Sequence, residues 1–446
     1  MKLRNLFLAS LAVCTMASCS KDDDGISGPQ EVDAYLSFAS TTDVMTKASV
    51  AGADDAGDGK EAKIRSLTAY VFDTSTDNKY VISKHVSLKD SGEEGEDYTV
   101  AGEDEDKSIT SIKAIHVKVA KPATEGGNSS TTFKVVLLAN TEHYNDVTKL
   151  ADLKGKTTQD ITSLNAKEVG SSYLPMHSPE LTVGGLKPSS DTEHFMNWYN
   201  GASCTSVPAA GKDHGGDDPT TGVTKVTMTR SIARVQLVSL DADFSALESA
   251  GKTIKFDVTS VFLANVRANA SVMGEENTEA TFYRGAPESF DELQFLIVSN
   301  NDVDGALMAD YSDKSLTTAG APLTDWNFDK YINANSPESI KGIPFTANGD
   351  GTYTRGDGDG AYQTRLIIAG NYYDGNQSKG TRYFHIPLKL VNNAGNVASN
   401  KFFKITATIT GEGSPNPDEI LENACINFNI EVADWEVVNQ TEEDTN

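Results

Sequence analysis

Near each end of this 446-residue chain an apolar side chain falls at every second position. Val32, Ala34, Leu36 and Phe38 alternate with Asp33, Tyr35 and Ser37; Ile426, Phe428, Ile430 and Val432 alternate with Asn427, Asn429 and Glu431. A strand turns successive side chains to opposite faces, so this spacing gathers the apolar groups on one side and predicts half-buried β-strands. A helix would scatter the same residues around its circumference. Similar segments recur at 66–72, 112–119, 133–139, 227–240, 260–265, 365–369, 382–391 and 404–410. With Gly 36 and Tyr 15 in the composition, these Val-, Ile- and Thr-bearing runs predict an all-β protein.

Two short helical spacings interrupt the pattern, at 146–153 (Val147, Leu150, Leu153) and 159–167. A Gly-, Asp-, Pro- and Thr-rich run at 208–222 predicts a boundary between an N-terminal domain, 48–222, and a C-terminal domain, 223–446. Leu263, Ala264 and Asn265 repeat Leu138, Ala139 and Asn140, as two related sandwiches would.

The first residues read as an address rather than as structure. Lys2 and Arg4 precede an apolar run from 6 to 17, the length of a signal-peptide core and short of the roughly 20 residues that span a bilayer. Met16, Ala17, Ser18 and Cys19 resemble the lipobox of bacterial lipoproteins, with Met16 at the usual leucine position. The resemblance implies that 1–18 is a lipoprotein signal peptide and that Cys19 becomes the acylated N-terminus. Asp22, Asp23 and Asp24 follow, an acidic cluster similar to that of lipoproteins displayed outside the outer membrane of certain Gram-negative anaerobes, and 25–30 is a polar tether.

A net charge of −26 repels phosphates and argues against a nucleic-acid partner. Beyond the leader only Cys204 and Cys425 remain, in different predicted domains and outside any CxxC, so neither a disulfide nor a metal knuckle is expected. The seven histidines are scattered, and HExxH, GxSxG and P-loop patterns are absent, so neither catalytic residues nor a cofactor are expected. Asp350, Asp357 and Asp359 lie among glycines and offer carboxylates to Ca²⁺, but without EF-hand spacing a plain Gly–Asp turn is the commoner outcome and no metal site is assigned. Arg230 and Arg234 are expected to pair with nearby carboxylates. Trp198, Tyr199 and Trp326 suit either a sugar platform or the core.

In chain order, the leader ending in Cys19, the strand 66–72, Leu138-Ala139-Asn140, and Arg230 followed by Ala233-Arg234-Val235 resemble the fimbrillin family, the subunits of type V pili in certain Gram-negative anaerobes. The likeness continues through 261–266, Leu366-Ile367-Ile368, Phe403-Lys404-Ile405-Thr406, 409–414 and Val432-Ala433-Asp434-Trp435. It implies two transthyretin-like β-sandwich domains with a few short helices. It also implies a lipidated precursor, attached to the outer membrane, that a surface trypsin-like protease cuts behind the first strand. Carried onto this sequence, the cut falls between Lys47 and Ala48, with lysine where the family has arginine; Lys60, Lys63 and Arg65 are alternatives, Arg65 the least suited because it begins the next strand. Segment 19–47 then leaves with Val32, Ala34, Leu36 and Phe38. The vacated groove takes the C-terminal strand of another subunit, about 423–437, through Ile426, Phe428, Ile430, Val432 and Trp435. The implied partners are other fimbrial subunits joined head to tail, the protease, the membrane through a lipid anchor, and a host or bacterial surface ligand. Two other readings stay open: a tip or accessory adhesin, which accepts a strand without donating one, and a carbohydrate-binding surface lipoprotein. The alternating C-terminal strand favours a donor, and the few surface aromatics disfavour a sugar binder.

Overall fold

Where they are described the alternating segments lie in strands, 227–240 being divided between two, and the strands assort into two sandwiches. A computed structural model describes residues 30–42, 60–88, 97–102, 107–167, 169–190, 193–209, 222–248, 251, 253–275, 277, 282–283, 306–335, 345–347, 353–355, 364–388, 397–415 and 425–434. The first half contains β1 (Glu31–Thr42), β2 (Ser66–Asp73), β3 (Lys79–Ser87), β4 (Tyr98–Ala101), β5 (Ser108–Ala120) and β6 (Phe133–Ala139). It goes on through β7 (Met176–His177), β8 (Leu181–Val183), β9 (Phe195–Asn200), β10 (Ser203–Pro208) and β11 (Lys225–Arg230). The second half begins with β12 (Ala233–Ala242), β13 (Ile254–Ala264), β14 (Val266–Arg267), β15 (Phe282–Tyr283), β16 (Met308–Leu316) and β17 (Asp329–Ile332). It ends with β18 (Phe345–Ala347), β19 (Tyr353–Arg355), β20 (Arg365–Asp374), β21 (Gln377–Pro387), β22 (Lys401–Ile409) and β23 (Ile426–Asp434).

In the first sandwich the strands run β10-β9-β1-β11-β7-β6-β2-β3, with β5 also paired to β1 and β4, and β8 to β6. The ladder folds over a core in which Leu36 and Phe38 of β1 meet Ile112 and Ile115 of β5, Leu67 and Val71 of β2, and Leu137 of β6. The second sandwich stacks β17-β12-β22-β23 against β16-β13-β20-β21. Val235, Leu237, Phe256, Val261, Phe328, Ile368, Phe403 and Ile405 fill the space between. β18 and β19 pair antiparallel, Ala347 opposite Tyr353, while Asp350, Asp357 and Asp359 lie outside the described residues.

The expected boundary at 222/223 moves by one strand. β11 pairs with β1, Ala39 opposite Lys225, and with β7, and the second sandwich's sheet starts only at Ala233. The reason is side-chain period: Val226 and Met228 point into the first core, so that strand belongs there, whereas a breaker-rich run signals a loop without saying which sheet follows.

The two helical spacings are shorter helices than the sequence suggests. Only Leu150–Lys154 (α1) is helical in the first, because the Asp152 carboxylate accepts from the backbone N–H of Thr148 at 2.9 Å and Lys149 at 3.1 Å and fixes the start there. Val147, Leu150 and Leu153 are nonetheless all buried, against Tyr70, Phe72 and Val136. The second helix, Ile161–Asn165 (α2), crosses the seam: Ile161 and Leu164 join the second core, and Asn165 bonds both backbone groups of Tyr331, at 2.8 and 2.7 Å. A further turn, Ser245–Glu248 (α3), is exposed.

The repeated Leu-Ala-Asn has a backbone cause. Asn140 and Asn265 each end a strand in the left-handed region, at φ 55° and 58°, which asparagine tolerates better than branched residues.

Burial also gives the fold an acid limit. It pushes the His177 imidazole down to about 4 and, with help from the Arg365 charge, His385 to about 3. Each histidine is therefore neutral when folded and takes its proton only in the unfolded chain as pH falls below 6.5. Stability is full above that point and declines toward pH 3, by up to about 1.4 kcal/mol per pH unit for each. His385→Phe is expected to shrink the loss between pH 7 and 4.5, measured as the change in urea midpoint; an unchanged loss would assign it elsewhere.

Candidate functional site: an interior strand and an edge strand

β1 is held on both sides. Along one edge it runs antiparallel to β5, from Glu31 opposite Ala120 to Ala39 opposite Ser111, with a bulge between Leu36 and Phe38. Along the other it runs parallel to β9, Tyr35 opposite Met196 through Ser37 opposite Trp198, and then to β11, ending at Thr42 opposite Met228. Ala34, Leu36 and Phe38 are each 0% exposed, and the Phe38 ring lies 5.6 Å from that of Tyr199. Val32 is half-buried at the rim of the same core.

The outer face is polar and ties β1 to β5. The Asp33 carboxylate sits 2.5 Å from Lys118 Nζ and 2.6 Å from His116 Nε2, and the Tyr35 ring stacks on His116 at 5.2 Å. The Lys118 ammonium, then His116, holds the Asp33 carboxyl below the usual carboxylate range. Asn197 on β9 donates from Nδ2 to the Tyr35 carbonyl at 3.0 Å. Withdrawing β1 would thus expose unpaired backbone on β5, β9 and β11 and leave an apolar trench where three fully buried side chains had been.

Among the described residues, β23 is held on one side. It lies at the end of its sheet, antiparallel to β22, from Ile409 opposite Ile426 to Lys401 opposite Asp434. The Cys425 carbonyl receives the N–H of Thr410 at 2.7 Å and of Gly411 at 3.2 Å, pinning the strand's entry. Ile426 is buried, Ile430 half-buried, and Phe428 38% exposed, so the alternating face is only partly covered by its own sandwich. Val432 has its backbone in the ladder opposite Phe403, and Trp435 lies outside the described residues. Slot and tail belong to different sandwiches, β1 to the first and β23 to the second.

Cys19, Lys47 and Ala48 lie outside the described residues. Cys204 and Cys425 are free thiols in separate sheets, and burial pushes the Cys204 thiol up to about 12. Of the aromatics considered for sugar stacking, Trp198 is 3% and Trp326 9% exposed, and Tyr199 packs beside Phe38, so all three serve packing. A polar groove of about 850 Å³ is lined by Arg65, Asn140, Tyr144, Lys156 and Tyr173 among others. Its two cations are already engaged, Lys156 with Asp146 at 2.5 Å and Arg65 over the Tyr173 ring at 5.3 Å. Among the described residues no cluster of three or more His, Cys, Asp or Glu is arranged to hold a metal, and no helix is long and apolar enough to cross a membrane.

Arg234 pairs with carboxylates as expected, one of them not foreseen, while the bond from Arg230 Nε goes to a backbone carbonyl. Arg234 forks onto Asp329, Nε at 2.8 Å and Nη2 at 2.5 Å, and its Nη1 is 3.4 Å from Glu61 Oε2. Arg230 Nε donates to the Glu61 carbonyl at 3.1 Å. Glu61 sits between Lys60 and Lys63 in a stretch that reads as exposed and basic; a buried partner far along the chain leaves no local signature there.

Residues 34–230 match the model of the major fimbrial subunit protein (FimA) family. Among solved structures, a fimbrilin (FimA) from Porphyromonas gingivalis W83 is 18% identical, with a TM-score of 0.52 over 92% of this chain and 99% of that one. A candidate cell adhesion protein from Parabacteroides distasonis ATCC 8503 is 16% identical, with a TM-score of 0.54 over 91% of this chain and 98% of that one. At such identities the likeness establishes the fold. No curated protein matches the sequence.

Proposed function

We propose, starting from the match of residues 34–230 to the major fimbrial subunit (FimA) family, that this chain is a structural subunit of cell-surface fimbriae that polymerises by exchanging strands after proteolysis. It is exported as a lipoprotein anchored through Cys19, and a trypsin-like protease then cuts after Lys47. β1 departs, and β23 of the next subunit, extended to Trp435, takes its place.

The observation that carries this reading is the double-sided seat of β1 beside the one-sided seat of β23. While β1 is covalently attached, its effective concentration at the slot is on the order of millimolar or above, and a second chain cannot compete. After the cut that advantage disappears by dilution. Phe428, exposed in the monomer, would then gain most, toward the about 1.5–3 kcal/mol of a fully buried side chain, Ile430 less, and Ile426 would exchange one buried seat for another, before association costs. The ladder restored on both sides of the new strand fixes its register. A slot in one sandwich and a tail in the other make a head-to-tail contact, which propagates as a filament where its rotation does not close.

The test is made on cells expressing the chain. Surface material is expected to begin at Ala48 by mass spectrometry and to give boiling-resistant ladders on gels. Lys47→Ala is expected to leave lipidated monomers. Normal ladders from Lys47→Ala, with residues 31–42 still present in them, would sink the reading.

A further inference from the structure

We propose that Lys60–Ser66 is a latch, set by Glu61, that marks where the removable N-terminal stretch ends and denies a trypsin-like protease the bonds after Lys60, Lys63 and Arg65. The inference rests on the reading that the first strand is cut away, and it adds what confines the cut.

Glu61 is 7% exposed within a short turn, Lys60–Ala62. Its carboxylate receives the Tyr331 hydroxyl on one oxygen and faces Arg234 Nη1 on the other, while its carbonyl receives Arg230 Nε. Tyr331 is itself fixed, its hydroxyl accepting the Gly170 N–H at 2.8 Å. These partners stand on β17, β12 and β11 and none is on β1, so withdrawal of β1 removes none of them; Arg234 and Tyr331 are on strands that do not pair with β1 at all, and Arg230 lies beyond the Lys225–Met228 stretch of β11 that does.

The residues that follow are tied one after another to the first sandwich. Asn140 Nδ2 donates to the Lys63 carbonyl at 2.8 Å, and its Oδ1 accepts the Arg65 N–H at 2.8 Å. Ile64, 1% exposed, donates to Ser108 Oγ at 2.9 Å and accepts from the Ile109 N–H at 2.8 Å. The Arg65 carbonyl accepts from Leu88 at 2.8 Å. A protease must draw several residues around the scissile bond into an extended strand of its own. Here that means breaking each of these bonds and lifting Glu61 from two arginines. A cut after Lys60 would also place a new ammonium among those arginines.

The latch is tested on the full-length precursor by timed limited trypsin digestion, with new N-termini identified by mass spectrometry and folding followed by circular dichroism. Wild-type protein is expected to resist cleavage after Lys60, Lys63 and Arg65. Glu61→Ala, which takes the acceptor from the buried Tyr331 hydroxyl and leaves Arg234 with Asp329 alone, is expected to open these bonds roughly tenfold or more faster, because cleavage of a transiently opened segment tracks its open population. Glu61→Gln keeps an acceptor for Tyr331 and should fall between the two, as should Tyr331→Phe. Equal rates at these bonds in wild type and in any folded variant would overturn the latch; should Glu61→Ala not fold, the two milder variants decide. Cleavage after Lys47 is read from the same spectra, and its absence would count against strand release while the three downstream bonds still report on Glu61.

Discussion

Phe428→Asp is expected to abolish polymerisation while leaving a folded, processed monomer. In the monomer the ring is already 38% exposed on an edge strand, so the change there resembles a surface substitution and should cost no more than about 1 kcal/mol. Seated in a neighbour's slot, the same position would be enclosed between β5 and β9, in the space that Ala34, Leu36 and Phe38 fill without any exposure. A carboxylate buried there without a partner costs several kcal/mol, enough to outweigh the side chain's own contribution to the contact. Thermal melting of the monomer and gel ladders after protease treatment together read the two effects. Wild-type ladders from Phe428→Asp would mean that some other segment fills the slot. Asn427→Asp is the matched control: it adds the same charge on the opposite, solvent-facing side of the strand and should leave ladders largely intact.

The sequence carried the strands well and their partners poorly. A period of two is a local property, so 133–139 and the core of β1 were readable from side-chain alternation alone. That β1 is interior, flanked by β5 and by two parallel strands, depends on chain segments up to 186 residues away, as in Thr41 opposite Thr227, and no local pattern encodes it. The misplaced boundary has the same origin: Val226 and Met228 announce a strand, but which core receives them is decided by packing. The C-terminal alternation predicted one apolar face, and the structure keeps that face yet covers it unevenly, from 4% exposure at Ile426 to 38% at Phe428. Unevenness of this sort is a property of the partner surface and is invisible in the strand itself. Glu61 was hidden for the opposite reason: it is a charged residue in a polar stretch, and only its burial against Arg234 and Tyr331 gives it meaning.

Phe38→Ala should separate the precursor from the fibre. Phe38 is among the largest fully buried side chains of the protein and packs beside Tyr199, so truncation removes transfer energy and leaves a cavity, a combination that costs about 3–5 kcal/mol. Trp198 reports the change locally, because it sits on β9 directly opposite Ser37 of β1. Urea unfolding of the uncut precursor followed by Trp198 fluorescence is expected to shift to a lower midpoint with little change in slope, since the surface exposed on unfolding is nearly the same. On the proposed pathway the residue is absent from the fibre, having left with its strand. Filaments assembled from Phe38→Ala precursor should therefore resist heat as wild-type filaments do, and assembly should if anything begin sooner, because the departing strand binds its seat less tightly. A fibre weakened as much as the precursor would show that β1 never leaves, and the slot would then be part of the permanent core.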